Sequence, residues 1–230
     1  MCAISILSGV FAFLSGITAV GQTPYRVVPE ESVFGLVAYK AGFASNLVDN
    51  NFTYATVYTV DFIRGQTPED VQFHIRMDTN RMSVNEYAMQ TRWFPRFKEL
   101  GILDTPFKET PERRRRRMAK SLVSERLLDA KNYPYVEAKT VSMKKDTTDT
   151  SGRNYWMTLD ITIRGHTERV EWPATIDQDE QKMTVETHGP LTFTSFGIDP
   201  YSMFLGAIRY RDDFQIYAYM VAAPAHTPTP

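Results

Sequence analysis

Residues 155–164 read Tyr-Trp-Met-Thr-Leu-Asp-Ile-Thr-Ile-Arg, and this stretch decides the fold class. Tyr155, Met157, Leu159, Ile161 and Ile163 alternate with Thr158, Asp160, Thr162 and Arg164. A period of two over that length is a strand with one face out of water. The pattern recurs from Tyr135 to Val221, and no helical run separates the repeats as parallel pairing would require. A meander of this kind must hide a common apolar face, against a second sheet or by closing into a barrel. A closed barrel has an interior, and an interior can hold an apolar molecule.

Working outward from that strand, Gly165-His166 reads as a tight turn between Ile163 and Val170, and Asp177 to Gln181 as the next. Met183, Val185, Leu191 and Phe193 follow, and Ala207 to Val221 closes the series with Phe214, Ile216, Ala218 and Met220 on one face. Toward the N-terminus, Asp146 to Asn154 is a polar loop. Phe73, Ile75 and Met77 mark an alternating strand after Val71, Phe52 to Arg64 reads as one long strand, and Tyr25–Val28 and Val33–Tyr39 as two short ones. Between Ser83 and Leu128 the period lengthens toward that of a helix. Tyr87 to Leu100 forms one helix with Gly101 as its stop. A second starts with Thr110 as N-cap, Pro111 at the first helical position and Glu112 in the first turn, setting Met118, Leu122 and Val123 on one side.

Composition excludes several classes. With 230 residues, a formal net charge of −1 and 23% charged residues, nothing points to nucleic-acid binding. Cys2 is the only cysteine, so neither an intramolecular disulfide nor a cysteine zinc site is available. His74, His166, His188 and His226 show no metal-ligand spacing, so no metal site is expected. No nucleophile elbow, phosphate loop or dinucleotide glycine pattern occurs, and adjacent carboxylates such as Asp212-Asp213 point to opposite faces of a strand. No catalytic residues are assigned, and a non-enzymatic role is expected. Ile4 to Val20 is apolar or small and Ala19-Val20-Gly21 offers a small-x-small cleavage pattern, although no Lys or Arg precedes Arg26. The reading is a signal peptide over residues 1–21, or an uncleaved anchor, then a barrel over 22–224 and a Pro/Thr-rich tail over 225–230. It predicts an exported protein, periplasmic or secreted.

Three segments together carry a family resemblance. Ser124 to Pro134 ends in Asn132-Tyr133-Pro134, Leu159 to Thr167 ends in Gly165-His166-Thr167, and Phe196-Gly197-Ile198-Asp199-Pro200-Tyr201-Ser202 is followed by Gly206-Ala207 and Asp213. In order and spacing these resemble the YceI-like family of envelope proteins, over roughly Tyr25 to Ala222. The resemblance implies a mainly β fold, an antiparallel lipocalin-like barrel, here with a helical insertion over about 83–130. It also implies a tunnel for a long isoprenoid chain, with export, frequent homodimers and no cofactor beyond that ligand. The chain departs from the family at Val48-Asp49-Asn50-Asn51, where a related branch often has a His-Asp pair. The span Met82–Lys120 is longer than usual, placed to reshape or cap the barrel mouth.

The candidate lipid contacts are Phe73, Ile75, Tyr155, Met157, Leu159, Ile161, Phe193, Phe214 and Ile216. As a lumen they would touch a hydrocarbon tail; otherwise they fill the interior of a small barrel. In that second case the protein is an envelope interaction module with the helical insertion as its partner surface. Arg113-Arg114-Arg115-Arg116-Arg117 also has two readings. Arg113, Arg114 and Arg117 contact a lipid headgroup or a membrane surface, or the run is a solvated helix face radiating in all directions. Magnitudes select the ligand class. A five-carbon isoprene unit buries roughly 3–4 kcal/mol, and association costs about 4–15 kcal/mol, so micromolar binding by burial alone needs about four to six enclosed units.

Overall fold

Alternating strands carry the chain through an antiparallel meander interrupted once by helices. The structure is a computed structural model describing residues 25–47, 49–63, 67–150, 154–179, 181–203 and 205–225. The strands are β1 (Tyr25–Val27), β2 (Val33–Ala41), β3 (Asn51–Ala55), β4 (Tyr58–Ile63), β5 (Gln72–Asp78) and β6 (Met82–Val84). Helices α1 (Tyr87–Glu99) and α2 (Glu112–Leu122) come next. They are followed by β7 (Tyr135–Lys145), β8 (Asn154–Ile163), β9 (His166–Gln178), β10 (Met183–Thr192), β11 (Ser202–Met203) and β12 (Ile208–Pro224). The leader over 1–21 and all of the tail except Ala225 lie outside the described residues.

Pairing runs β4-β5-β7-β8-β9-β10-β12-β2-β3-β6, with β1 and β11 added to β12. The two ends of this path belong to one bent hairpin. β3 leads through Thr56 and Val57 into β4, while β5 leads through Thr79–Arg81 into β6. The bend is bridged by Thr56 N–H donating to the Arg81 carbonyl at 2.9 Å and Asp78 N–H to the Val57 carbonyl at 3.0 Å. Because β3 also pairs β2 and β5 also pairs β7, the sheet curls round on itself as the expected barrel. The single long strand expected over Phe52–Arg64 is therefore two, broken where the ribbon must bend. The three-residue β6, inside the span read as helical, is too short to show a period.

The hairpin between β8 and β9 turns one residue earlier than the expected Gly165-His166, and His166 already begins β9. Arg164 (φ 51°) and Gly165 (φ 76°) are the two central residues, both in the left-handed region that matches the twist of the flanking strands. A side chain at Gly165 would strike the ring of Tyr133 at 2.6 Å. One turn further round, the Arg164 guanidinium donates to the Gly197 carbonyl at 2.8 Å. The three segments that carry the family resemblance thus meet at one end of the barrel.

Two apolar clusters follow from the strand alternation. The inner one gathers the inward faces, with Phe34, Phe73, Ile75, Leu159, Ile161 and Phe214 among its members. The outer one packs Trp93 and Phe97 of α1, with Ile102, Leu103 and Phe107, on Val33, Val37, Phe52, Tyr54 and Tyr217. On β3 the polarity is inverted: Phe52 and Tyr54 face this outer cluster, so Asn51 and Thr53 face inward. Helix α1 therefore clamps the outside of the barrel wall and does not cap its mouth. Helix α2 has Pro111 as N-cap, not Thr110, and Pro111 makes no capping hydrogen bond. The buried Thr110 hydroxyl accepts from the Asn85 amide at 3.3 Å, which holds the chain at the start of α2.

Candidate functional site

The barrel encloses a cavity of about 460 Å³. Its wall is made by inward residues of successive strands: Phe34, Leu36 and Ala38 on β2, Phe73, Ile75 and Met77 on β5, Leu159, Ile161 and Ile163 on β8, Phe214, Ile216 and Ala218 on β12. Two residues apart on each strand, they share a face because the pleat alternates. One close approach shapes the wall. A side chain at Gly189 would collide with the Trp172 indole at 2.2 Å, so the bare glycine lets that ring lie flat along the neighbouring strand and line the cavity.

Seven of the nine expected lipid contacts line this space: Phe73, Ile75, Leu159, Ile161, Phe193, Phe214 and Ile216. Tyr155 and Met157 do not, although both are buried in the inner cluster. The correction is one of height, not of face. β8 enters the barrel at Asn154 and leaves at Ile163, and its first two inward residues sit at the closed end. There Tyr155 lies opposite Ala174 and Met143, also buried, opposite Met157. The barrel is solid at that end and hollow above it.

The other end is the mouth. Its lining turns polar: Asn51, Asp199, Tyr201 and Tyr210 from the strand ends and loops, and Arg114, Arg117 and Ser121 from α2. Met118, Leu122, Leu127 and Leu128 add an apolar edge from α2 and the turn that follows it. Burial raises the Tyr210 phenol to about 12 although Arg114 nearby works in the opposite direction, so the hydroxyl stays protonated and can donate. Of the three arginines singled out for headgroup contact, Arg114 and Arg117 reach the cavity. Arg113 does not: with Glu112, Arg116 and Lys120 it forms the outward side of the helix. Residues spaced by three or four along α2 share a side, which separates Arg114, Arg117, Met118 and Ser121 from Arg113, Arg116 and Lys120.

On the outer wall, Glu186 anchors α1. Its carboxylate accepts from Arg96 Nε at 2.8 Å and Nη2 at 2.5 Å, and from the buried Tyr217 hydroxyl at 2.7 Å. Burial pushes the Glu186 carboxyl up, but these donors outweigh it and hold it below the ordinary carboxylate range. The network joins α1 to the barrel wall. His74 lies on the outward side of β5, 2.7 Å from Glu137. Among the described residues no group of His, Cys, Asp or Glu is placed to hold a metal ion, and no helix is long and apolar enough to cross a membrane.

A model of the YceI-like domain matches residues 25–222. The chain belongs to the YceI-like family. No curated protein sequence matches it significantly. Among solved structures it is similar to BcnA of Burkholderia cenocepacia, with a TM-score of 0.58 at 14% identity over 85% of this chain and 99% of that one. A YceI protein of Campylobacter jejuni matches with a TM-score of 0.46 at 12% identity, over 73% of this chain and 83% of that one. The family's β-barrels bind hydrophobic ligands, and its members are binding proteins rather than enzymes.

Proposed function

We propose that this YceI-like chain binds and sequesters a long isoprenoid, or a lipid of similar shape, inside its barrel without chemically altering it. The observation that carries the reading is the hollow apolar interior, closed at one end and polar at the other. A barrel filled by its own side chains, the premise of the interaction-module alternative, would leave no such space. The cavity also limits the ligand. Taking each carbon to need no more than the roughly 30 Å³ that a water occupies in the liquid, it holds about three to four five-carbon units. That is at or just below what burial alone needs for micromolar affinity. Polar contacts at the mouth must then contribute, and Arg114 and Arg117, which line it, would receive an anionic head by charge-assisted hydrogen bonds. The same reading sets the protein outside the cytoplasm, on the strength of the apolar segment before Gly21.

The test is organic extraction of the protein purified from its native host, followed by mass spectrometry. One prenyl lipid per chain is expected. A clean extract from protein that also fails to take up added polyprenyl phosphate contradicts the proposal.

A further inference from the structure

Helix α2 has a side that the cavity does not use. Arg113, Arg116 and Lys120 are exposed and together with Glu112 and Arg117 border a shallow groove on the outside of the mouth. Two nearby acids are already engaged. Glu112 pairs with Arg116 at 2.5 Å, and Asp49 accepts from the backbone N–H groups of Asn50 and Lys108. The chain as a whole is close to neutral, with a formal net charge of −1, so this cluster is a local concentration of positive charge.

A second, independent feature stands at the same end. Phe43 is 91% exposed and Leu205 108%, the two most exposed large hydrophobic residues described. Their loops are joined: Ala44 N–H donates to the Ala207 carbonyl at 3.0 Å, and a side chain at Gly42 would meet the Gly206 and Ala207 carbonyls. The Phe43 loop also touches the segment leading into α2, because Asp49 is the acceptor for Lys108 N–H. A bare aromatic and a bare leucine on adjoining loops, beside a basic helix, have the composition of a surface that enters the lipid interface while cations meet the headgroups.

We infer that the mouth end of the barrel docks on an anionic membrane surface, with Arg113, Arg116 and Lys120 supplying charge and Phe43 and Leu205 supplying apolar anchors. Docked so, α2 lies between the bilayer and the cavity. A lipid leaving the bilayer passes Met118, Leu122 and the Arg114–Arg117 side before reaching the interior. The route rests on the lipid-binding proposal; the docking does not, and is measured separately.

The experiment compares the affinity of the full chain for vesicles of zwitterionic phospholipid alone and for vesicles mixed with an anionic phospholipid. Residues 1–24 carry no charged side chain, so their contribution is common to both vesicle types and cancels in the ratio. The wild type is expected to prefer anionic vesicles, and raising salt to about 1 M should remove that preference as the screening length falls to about 3 Å. R113Q/R116Q/K120Q should lower the ratio about a hundredfold, at about a fivefold loss per charge. Because none of the three lines the cavity, uptake of a prenyl probe in vesicle-free solution should be unchanged. F43S/L205S should weaken binding to anionic vesicles by about tenfold or more while keeping its salt dependence. Equal wild-type affinity for both vesicle types overturns the inference, as does a triple variant that melts like wild type and keeps the anionic preference. If the triple variant is unstable, the salt titration of the wild type decides alone: a preference that survives high salt also overturns it.

Discussion

Leu159, Ile161 and Ile163 touch the cavity while Tyr155 and Met157, on the same strand face, do not; access to the cavity at the residue scale is set by height along the barrel. This yields a paired prediction. A138F/A218F places two rings in the hollow part, removing room for about two five-carbon units, and should cut prenyl-probe affinity by at least about two orders of magnitude. The variant should stay folded, since overpacking at a cavity wall costs about 1–3 kcal/mol, and thermal melting checks this. M157A at the solid end should do the reverse, costing about 2–5 kcal/mol of stability while leaving the affinity of the folded protein unchanged. At the mouth, R114Q/R117Q should weaken a prenyl phosphate by about tenfold to a few hundredfold and leave the corresponding prenol nearly unaffected, because charge-assisted bonds to the head contribute about 1.5–3 kcal/mol each before solvent screening. Isothermal titration with the two ligands separates head from tail.

At the scale of elements, α1 and α2 divide the insertion into two tasks. α1 fastens to the wall through Trp93, Phe97 and the Arg96–Glu186–Tyr217 network. E186Q should lower stability by about 1–3 kcal/mol near neutral pH, as Arg96 loses its partner on the wall and the Tyr217 hydroxyl loses a charged acceptor. The pH dependence has a definite sign. The Glu186 carboxyl is held below its ordinary value of 4.5, so its contribution is present above that value and is lost as pH falls through the lower native one. The gap between wild type and E186Q should therefore close in acid. Burial also lowers the neighbouring His188 from 6.5, so the unfolded chain binds a proton that the folded one refuses, and wild-type stability should begin to fall below about pH 6.5. Denaturant midpoints across pH for the two proteins give both curves. Much of this scale was not legible in the chain. The helices themselves were, from period and from Gly101, but Arg96 and Glu186 are ninety residues apart and nothing local links them. Thr110 carries the chemistry of a cap, yet Asn85 engages its hydroxyl first. On β3 the usual rule reversed, because α1 offers Phe52 and Tyr54 an apolar partner outside the barrel.

At the scale of the whole molecule, the barrel was legible because period-two alternation over successive strands leaves few ways to hide their apolar faces. Whether it was hollow was not, since alternation says which way a side chain points and not how far the opposite wall stands. That distance depends on the bent hairpin of β3–β4 with β5–β6, on Gly189 yielding space to the Trp172 ring, and on the segment from Phe193 to Tyr201 lining one end. Loops contributed Asp199 and Tyr201 to the mouth, positions without any periodic signal. If this space holds an alkenyl tail, affinity must follow the length of that tail. In a series of polyprenyl phosphates of increasing length, affinity should climb steeply with each five-carbon unit, by more than tenfold per unit, until about three to four units fill a cavity of this size, and then level off. Affinity independent of length, or still rising well beyond that point, would contradict an enclosed tail and assign the binding to the protein's surface.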